Sequence, residues 1–151
     1  MPTSTSLYNN ENVSLADLPV VAQQILTASG ATRLFTLEAE MGAGKTTLTN
    51  ALLAALGVTD LQGSPTYPII NEYLSANGAS IFHIDLYRLK NIDEAYNIGI
   101  EDILYPPAPQ PYVFIEWAAL IADVLPKENV KITININTDD TRRIVVMASN
   151  A

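Results

Sequence analysis

The chain contains no cysteine, one histidine, and only eight basic residues against sixteen acidic ones. The absence of cysteine excludes disulfide bonds and thiolate metal sites. The formal net charge of -8 at pH 7 opposes direct binding to nucleic acid, because the phosphate backbone repels an acidic protein at long range. If the protein serves an RNA pathway, we expect a partner to hold the RNA.

The chain also lacks a long hydrophobic run, and no segment approaches the ~20 apolar residues that a membrane helix needs. The first residues carry no basic-then-apolar signal pattern. We therefore expect a cytoplasmic location by default, no membrane partner, and a monomer when the protein is alone. The 151 residues suit a single domain, in which residues 1–12 are expected to be poorly ordered.

A glycine-rich loop at residues 39–46, with the sequence AEMGAGKT, is the most informative segment that is present. An apolar, β-prone run (33–38) precedes it, and a segment with helical spacing (47–56) follows it and meets Gly57. Strand, glycine loop and helix together direct successive backbone N–H groups at one anion. The pattern predicts a phosphate-binding loop, with Ala39 at a first position where glycine is usual.

The loop predicts roles for four of its residues. Gly42 and Gly44 let the backbone approach a phosphate without obstruction by a side chain. Lys45 is expected to reach the β- and γ-phosphates, and the Thr46 hydroxyl to ligate Mg²⁺. ATP is favoured over GTP as the nucleotide, because the sequence contains no Asn-Lys-x-Asp run for reading guanine.

Two acidic residues, Asp85 and Glu116, each end an apolar run that is expected to form a strand. In an open α/β sheet, ligands bind at the carboxyl ends of the strands. Either carboxylate could hold Mg²⁺ through water or orient an attacking water. The alternative for each is a solvated acid at a strand end.

Other polar positions also have two interpretations. A hydroxyl in the loop 64–67 could reach the γ-phosphate or the metal, or this loop is a proline turn that enters a strand. His83 alternates with apolar neighbours, so a buried, hydrogen-bonded histidine is favoured over a general base. Arg142 and Arg143 begin the last expected strand, where one of them contacts the nucleotide or both are solvated.

The remaining pattern predicts an α/β fold of three layers, like that of P-loop NTPases: a mixed sheet with a parallel core and antiparallel hairpins, with helices on both faces. An amphipathic helix is expected at 14–29, and a short helix that Asn91 and Glu94 cap is expected to end at Gly99. Trp117 opens a possible further helix. The expected strands are 33–38, 66–74, 80–87, 112–116, 131–137 and 142–147.

Five motifs resemble those of the TsaE family, also called YjeE, in their order and spacing. The specific elements are His-x-Asp-x-Tyr-Arg at 83–88 and Ile-Glu-Trp at 115–117, and the likeness extends over residues 14–148. The other three motifs are residues 38–47, 64–67 and 98–102.

The resemblance implies a small bacterial ATPase that is needed for threonylcarbamoyl modification of adenosine 37 in tRNAs that read codons beginning with A. It implies ATP and Mg²⁺ as cofactors, weak hydrolysis by the protein alone, and TsaD- and TsaB-type proteins as partners. TsaD transfers the threonylcarbamoyl group, and ATP binding or hydrolysis is thought to reset the complex. Contact with tRNA is then only indirect, through that complex.

The resemblance also implies roles by position. Asp85, Glu116 and Thr66 would support catalysis, and Thr46, Glu116 and Asp85 would serve Mg²⁺. The residues that would contact the nucleotide are Gly42, Ala43, Gly44, Lys45, Thr46, Thr47 and Arg142. From the residues themselves, two other functions stay open: a small-molecule kinase and a nucleotide sensor that does not hydrolyse.

Overall fold

The computed structural model describes residues 3–40, 42–59, 69–107 and 109–150. The described helices are α1 (Leu18–Ala28), α2 (Lys45–Ala55), α3 (Ile92–Asn97) and α4 (Ile100–Leu104). The described strands are β1 (Thr3–Val13), β2 (Leu34–Ala39), β3 (Ile70–Leu74), β4 (Ser80–Asp85), β5 (Tyr112–Glu116), β6 (Asn129–Ile136) and β7 (Arg142–Asn150).

All seven strands form one mixed sheet in the order β1-β7-β6-β2-β5-β4-β3. The four central strands β6, β2, β5 and β4 are parallel, and β7, β1 and β3 are antiparallel to their neighbours. The register pairs Glu116 with Leu37 on one side and with Asp85 on the other. The two acids that the sequence singled out therefore lie side by side at the carboxyl edge of the parallel strands.

Each face of the sheet has its own hydrophobic core. On one face, α1 and α2 pack against Phe35, Leu37 and Phe114. On the other face, α3, α4 and a 3₁₀ turn at Ala118–Ile121 pack against Ile84 and Ile115. Each such buried side chain contributes about 1.5–3 kcal/mol. The predicted three-layer α/β fold is confirmed.

Among the described residues, no helix is both long enough and apolar enough to span a membrane.

The first helix follows its sequence pattern closely. The backbone N–H of Ser14 donates to Oδ2 of Asp17 at 2.9 Å, which completes a capping box before α1. The predicted first turn is a 3₁₀ turn at Leu15–Asp17 rather than α-helix. Gly30, with φ +61°, follows the end of α1, as predicted.

For residues 3–12, the structure corrects the expectation that the amino-terminal segment 1–12 is poorly ordered. Thr3–Val13 forms β1, which pairs with β7 along its length. Val13 is buried, and the Tyr8 hydroxyl donates to Oε1 of Gln24 on α1 at 2.7 Å. The segment is mostly polar, so its sequence carries no strand signal. Backbone pairing with β7 at the sheet edge orders it more than apolar burial does.

Two short elements differ in extent from their predictions. The helix capped by Asn91 is confirmed, since Oδ1 of Asn91 accepts from the Glu94 N–H at 3.1 Å. Gly99, however, also begins a second helix, α4, which the sequence interpretation did not separate. The hairpin of β3 and β4 is confirmed, with Gly78 at φ +83° in its turn. The expected start of its first strand, 66–68, lies outside the described residues.

Candidate functional site

The glycine-rich loop connects β2 to α2 at the carboxyl edge of the sheet. Gly42 has φ +83° and Gly44 has φ +100°, conformations that residues with a side chain rarely adopt. A Cβ placed on either glycine would meet no atom within 4 Å. Backbone conformation therefore requires these glycines, and the space beside them is open to an approaching ligand. Met41, which stands between Glu40 and Gly42, lies outside the described residues.

The first turn of α2 adds donors to this open space. Because α2 begins at Lys45, the backbone N–H groups of Lys45, Thr46 and Thr47 precede the first intrahelical acceptors. The first bond within this helix runs from the Leu48 N–H to the Gly44 carbonyl at 2.9 Å. The positive end of the helix dipole and the free N–H groups both favour an anion here.

Lys45 places a positive charge at the same point. The residue is only 9% exposed, and its Nζ lies 3.4 Å from the Ala39 carbonyl oxygen. The same Nζ lies 3.9 Å from the centroid of the Trp117 ring, in a cation–π contact. Within the described part of the chain, no carboxylate pairs with this ammonium group. Lys45 is thus a nearly buried cation whose counter-ion the described residues do not supply.

Trp117 was expected to open a helix, and it directly precedes the 3₁₀ turn at Ala118–Ile121. Its backbone is left-handed, with φ +62°, which is unusual for a bulky residue. Its ring also contacts the ring of Tyr87, with centroids 5.0 Å apart. A cavity of about 440 Å³ lies beside the loop, with Glu40, Lys45 and Trp117 among its lining residues. The contact between Trp117 and Lys45 was not predicted, although the Trp follows directly after a strand-end acid.

The two acids at the strand ends have different environments. Glu116 is 3% exposed, and its Oε2 lies 2.5 Å from Nε2 of His83. Asp85 is half-buried, and its Oδ1 accepts from the Tyr87 N–H at 3.1 Å. His83 is itself 2% exposed, so the predicted buried, hydrogen-bonded histidine is confirmed. The fold brings both acids to the edge where the loop begins.

Arg142, at the start of β7, reaches the loop from the side of β2 that is opposite to β5 and β4. Its Nε donates to the Ala43 carbonyl at 2.9 Å, and its Nη1 donates to the Asp140 carbonyl at 2.6 Å. In this structure the guanidinium therefore holds the loop backbone, and its predicted contact with a nucleotide stays a prediction. Thr66, the remaining expected site residue, lies outside the described residues.

The described residues contain no group of three or more His, Cys, Asp or Glu side chains that could hold a metal. Mg²⁺ does not need such a group, because it keeps several waters and binds through one or two carboxylates together with phosphates. A hydroxyl on the first turn of α2 and a strand-end carboxylate match that donor set. Among the described residues, the donors present are therefore of the kind that hold Mg²⁺ together with phosphate oxygens.

The family model described as "Threonylcarbamoyl adenosine biosynthesis protein TsaE" matches residues 13–144. The chain is 37% identical over 115 residues to the tRNA threonylcarbamoyladenosine biosynthesis protein TsaE of Bacillus subtilis, which is 76% of this chain and 69% of that protein. Its identity to the protein of the same name from Haemophilus influenzae is 37% over 112 residues, covering 74% and 68%.

A solved structure agrees with the sequence relatives. The crystal structure of YdiB from Bacillus subtilis matches with a TM-score of 0.67 and 30% identity, over 98% of this chain and 87% of that one. Because the family match spans most of its residues and the fold agrees, the chain belongs to the TsaE family of tRNA threonylcarbamoyladenosine biosynthesis proteins.

Proposed function

We propose that this protein is a Mg²⁺-dependent ATPase that drives threonylcarbamoyladenosine modification of tRNA by acting on a complex of TsaD- and TsaB-type proteins. The observation that carries the proposal is Lys45, a nearly buried cation with no carboxylate partner among the described residues, at the start of α2. It stands beside the open space over Gly42 and Gly44. A phosphate chain is the kind of anion that satisfies this arrangement.

Binding would come from the loop and the first turn of α2. Backbone N–H groups from Gly42 to Thr47 would donate to phosphate oxygens, and Lys45 would neutralise the β- and γ-phosphates. Arg142 supports this role indirectly, because its hydrogen bond to the Ala43 carbonyl holds the loop backbone in place. A loop held in its binding conformation loses less entropy when the nucleotide binds.

Hydrolysis would depend on the strand-end acids. Bound Mg²⁺ would supply charge neutralisation on the β- and γ-phosphates. The Thr46 hydroxyl and one of the carboxylates would hold it, and the other carboxylate would orient the attacking water. Glu116 is fixed by His83, whereas Asp85 is half-buried and is held through the Tyr87 N–H. Catalytic support by Thr66 is part of the proposal on the resemblance alone.

The arrangement of charge favours an activity that depends on a partner. Phosphoryl transfer is accelerated by a cation that stabilises the γ-phosphate, and this cation is often supplied in trans. Arg142 touches the loop, and its guanidinium already donates to backbone carbonyls. We therefore infer that a partner protein completes the site and that the protein alone hydrolyses ATP weakly.

The test separates nucleotide binding from turnover. Lys45→Ala is expected to weaken ATP binding about 10- to 100-fold, because it removes a charged hydrogen-bond donor. Asp85→Asn and Glu116→Gln are expected to spare binding and to lower turnover about 100-fold in the presence of the partner proteins. Calorimetry measures the first effect and phosphate release the second. Lys131→Ala, which removes an exposed partner of Glu38, is the control and should change neither.

The same assay separates the alternatives. Transfer of labelled phosphate to a small molecule would identify a kinase. Nucleotide-dependent capture of the partners without phosphate release would identify a sensor. Normal phosphate release by both acid variants would contradict the proposed roles of Asp85 and Glu116.

A further inference from the structure

Polar side chains from three neighbouring strands form a row on the α2 face of the sheet. His83 on β4 and Glu116 on β5 are both almost completely buried, and Nε2 of His83 lies 2.5 Å from Oε2 of Glu116. The row continues to β3, where Asn71 lies directly opposite His83 in the antiparallel pair. Residues opposite each other in such a pair share one face of the sheet, with Cβ atoms about 4.5–5.5 Å apart.

Asn71 has an unusual hydrogen-bonding state. Its Nδ2 is buried and finds no partner among the described residues. A buried donor without an acceptor is costly, so native structures rarely keep one. The neighbouring imidazole offers an acceptor of the right kind, because a neutral histidine that donates from Nε2 can accept at Nδ1. A donor from Asn71 at Nδ1 would thus hold the ring in the tautomer that presents Nε2–H to Glu116.

We propose that His83 and Asn71 are positioning residues, which hold the Glu116 carboxylate in the orientation that ATP hydrolysis requires. The inference rests on the proposed function. His83 occupies Oε2 of Glu116, which leaves Oε1 to act on the reacting water or on Mg²⁺. A carboxylate held by a second group keeps one orientation rather than several, and loss of such a supporting group commonly costs about 10- to 100-fold in activity.

The backbone of Glu116 connects the two strand ends to the residue that contacts Lys45. The Glu116 carbonyl accepts from the Leu86 N–H at 3.1 Å, so β4 and β5 stay joined beyond their last paired residues. The next residue, Trp117, carries the ring that Lys45 touches. Glu116 thus directly precedes the residue whose ring contacts the loop lysine, and its carboxylate is held by His83.

The first experiment measures steady-state ATP hydrolysis with Mg²⁺ and the TsaD- and TsaB-type partners. His83→Leu is expected to lower kcat about 10- to 100-fold and to leave KM for ATP within about threefold. His83→Gln, whose amide can still donate to Glu116, should recover most of that loss. Adding His83→Leu to Glu116→Ala should cause no further loss, because the histidine acts only through the carboxylate. Phe82→Leu, on the opposite face of β4, controls for loss of packing.

Two kinetic outcomes would overturn the proposal. One is an additive loss in the double variant, and the other is a Gln variant as impaired as the Leu variant while both remain folded. Either would show that His83 contributes packing or acts independently of Glu116.

A second experiment does not need activity. His83 is the only histidine in the chain, so a long-range ¹H–¹⁵N spectrum of the labelled protein reports this one imidazole. We expect the hydrogen on Nε2, where the Glu116 carboxylate accepts it, and none on Nδ1. We expect Asn71→Leu to shift the Nδ1 resonance, because it removes the donor to that nitrogen, and to leave the hydrogen on Nε2. A protonated Nδ1 in the unaltered protein would overturn the proposal. If the unaltered protein released no phosphate in the presence of its partners, the proposed function would fail. The spectrum would still decide the arrangement of the three side chains.

Discussion

At the scale of single residues, Lys45 shows how a motif and a fold contribute different information. The loop sequence predicts that this lysine meets a phosphate, and the structure places it at the start of α2 with little exposure. The sequence does not predict that its ammonium group lies against an aromatic ring. The ring that it contacts belongs to Trp117, more than seventy positions further along the chain.

This contact gives the first prediction. Trp117 is the only tryptophan, so the protein's indole emission reports its surroundings. ATP with Mg²⁺ should draw Nζ of Lys45 away from the ring, because attraction to a phosphate exceeds a cation–π contact of about 0.5–2 kcal/mol. We expect the emission to change on titration with ATP, and Lys45→Met to start from the altered emission and respond little.

The control for this titration is tripolyphosphate, which carries phosphates without a base. It should reproduce the change that ATP causes. A response to adenosine alone would contradict the explanation, since it would assign the change to stacking of the base on the ring.

The sequence predicted the acids of the site better than their contacts. Asp85 and Glu116 follow from the rule that ligands bind beyond the carboxyl ends of parallel strands. The pairing of Glu116 with His83 does not follow, because it depends on which strands are neighbours and in what register. Arg142 was expected beside a nucleotide, but its bond to Ala43 depends on the approach of a distant hairpin to the loop.

At the scale of helices and turns, glycine positions can be separated by what surrounds them. Gly57, after α2, has φ +91°, and a Cβ placed there would lie 2.7 Å from the Cβ of Ala76 in the β3–β4 turn. Gly30, after α1, has φ +61°, and a Cβ there would meet nothing within 4 Å. Both sites have a backbone conformation that is unfavourable for alanine, and only a Cβ at Gly57 would also clash with a neighbour.

The second prediction uses this matched pair. Gly30→Ala should lower the free energy of unfolding by about 1–2 kcal/mol, which is the cost of a left-handed conformation for alanine. Gly57→Ala should cost about 1–3 kcal/mol more, because the hairpin turn must move away from the end of α2. Urea denaturation with unchanged m-values measures both. Equal losses would show that the turn yields without cost.

The third prediction concerns the capping box of the first helix. The backbone N–H of Ser14, and then its side chain, hold the pKa of the Asp17 carboxyl below its ordinary value of 3.8. A lowered pKa in the folded state stabilises the protein above the unfolded value, and this stabilisation is lost as pH falls through the folded value. Asp17→Ala should therefore lower Tm at neutral pH, and the deficit should shrink below about pH 3.8.

Thermal unfolding from pH 7 down to acid conditions measures this dependence. The exposed Asp123→Ala provides the comparison, with a pH profile that should follow the unaltered protein. A deficit of Asp17→Ala that stays constant into acid would indicate lost packing rather than a lost charge.

Elements with a strong local signal were predicted, and those that depend on pairing were not. The strand Tyr112–Glu116 and the cap of α3 by Asn91 were predicted, since apolar runs and capping residues are local features. β1 was missed because its polar residues gain order from β7, which lies more than a hundred residues away in the sequence. No pattern within one segment contains that information.

At the scale of the whole molecule, the order of the strands assembles the site. Lys45, Asp85 and Glu116 are distant in sequence, and they converge because β2, β5 and β4 are parallel neighbours. The sequence indicated that the carboxyl edge would hold the site. It could not give the strand order, because long-range pairing depends on the packing of both helical layers.

The fourth prediction follows from the charge of the molecule. With a net charge of -8, and with Lys45 and Arg142 already engaged at the loop, the chain has little positive charge to offer an RNA backbone. We expect no binding of labelled tRNA to the protein alone at roughly 50 mM salt, where electrostatic attraction would be strong. Fluorescence anisotropy should rise only when the TsaD- and TsaB-type partners are added. If the protein alone bound tRNA with an affinity that fell as salt increased, a basic surface would have to exist on this chain, and the partners would no longer be needed to explain its contact with RNA.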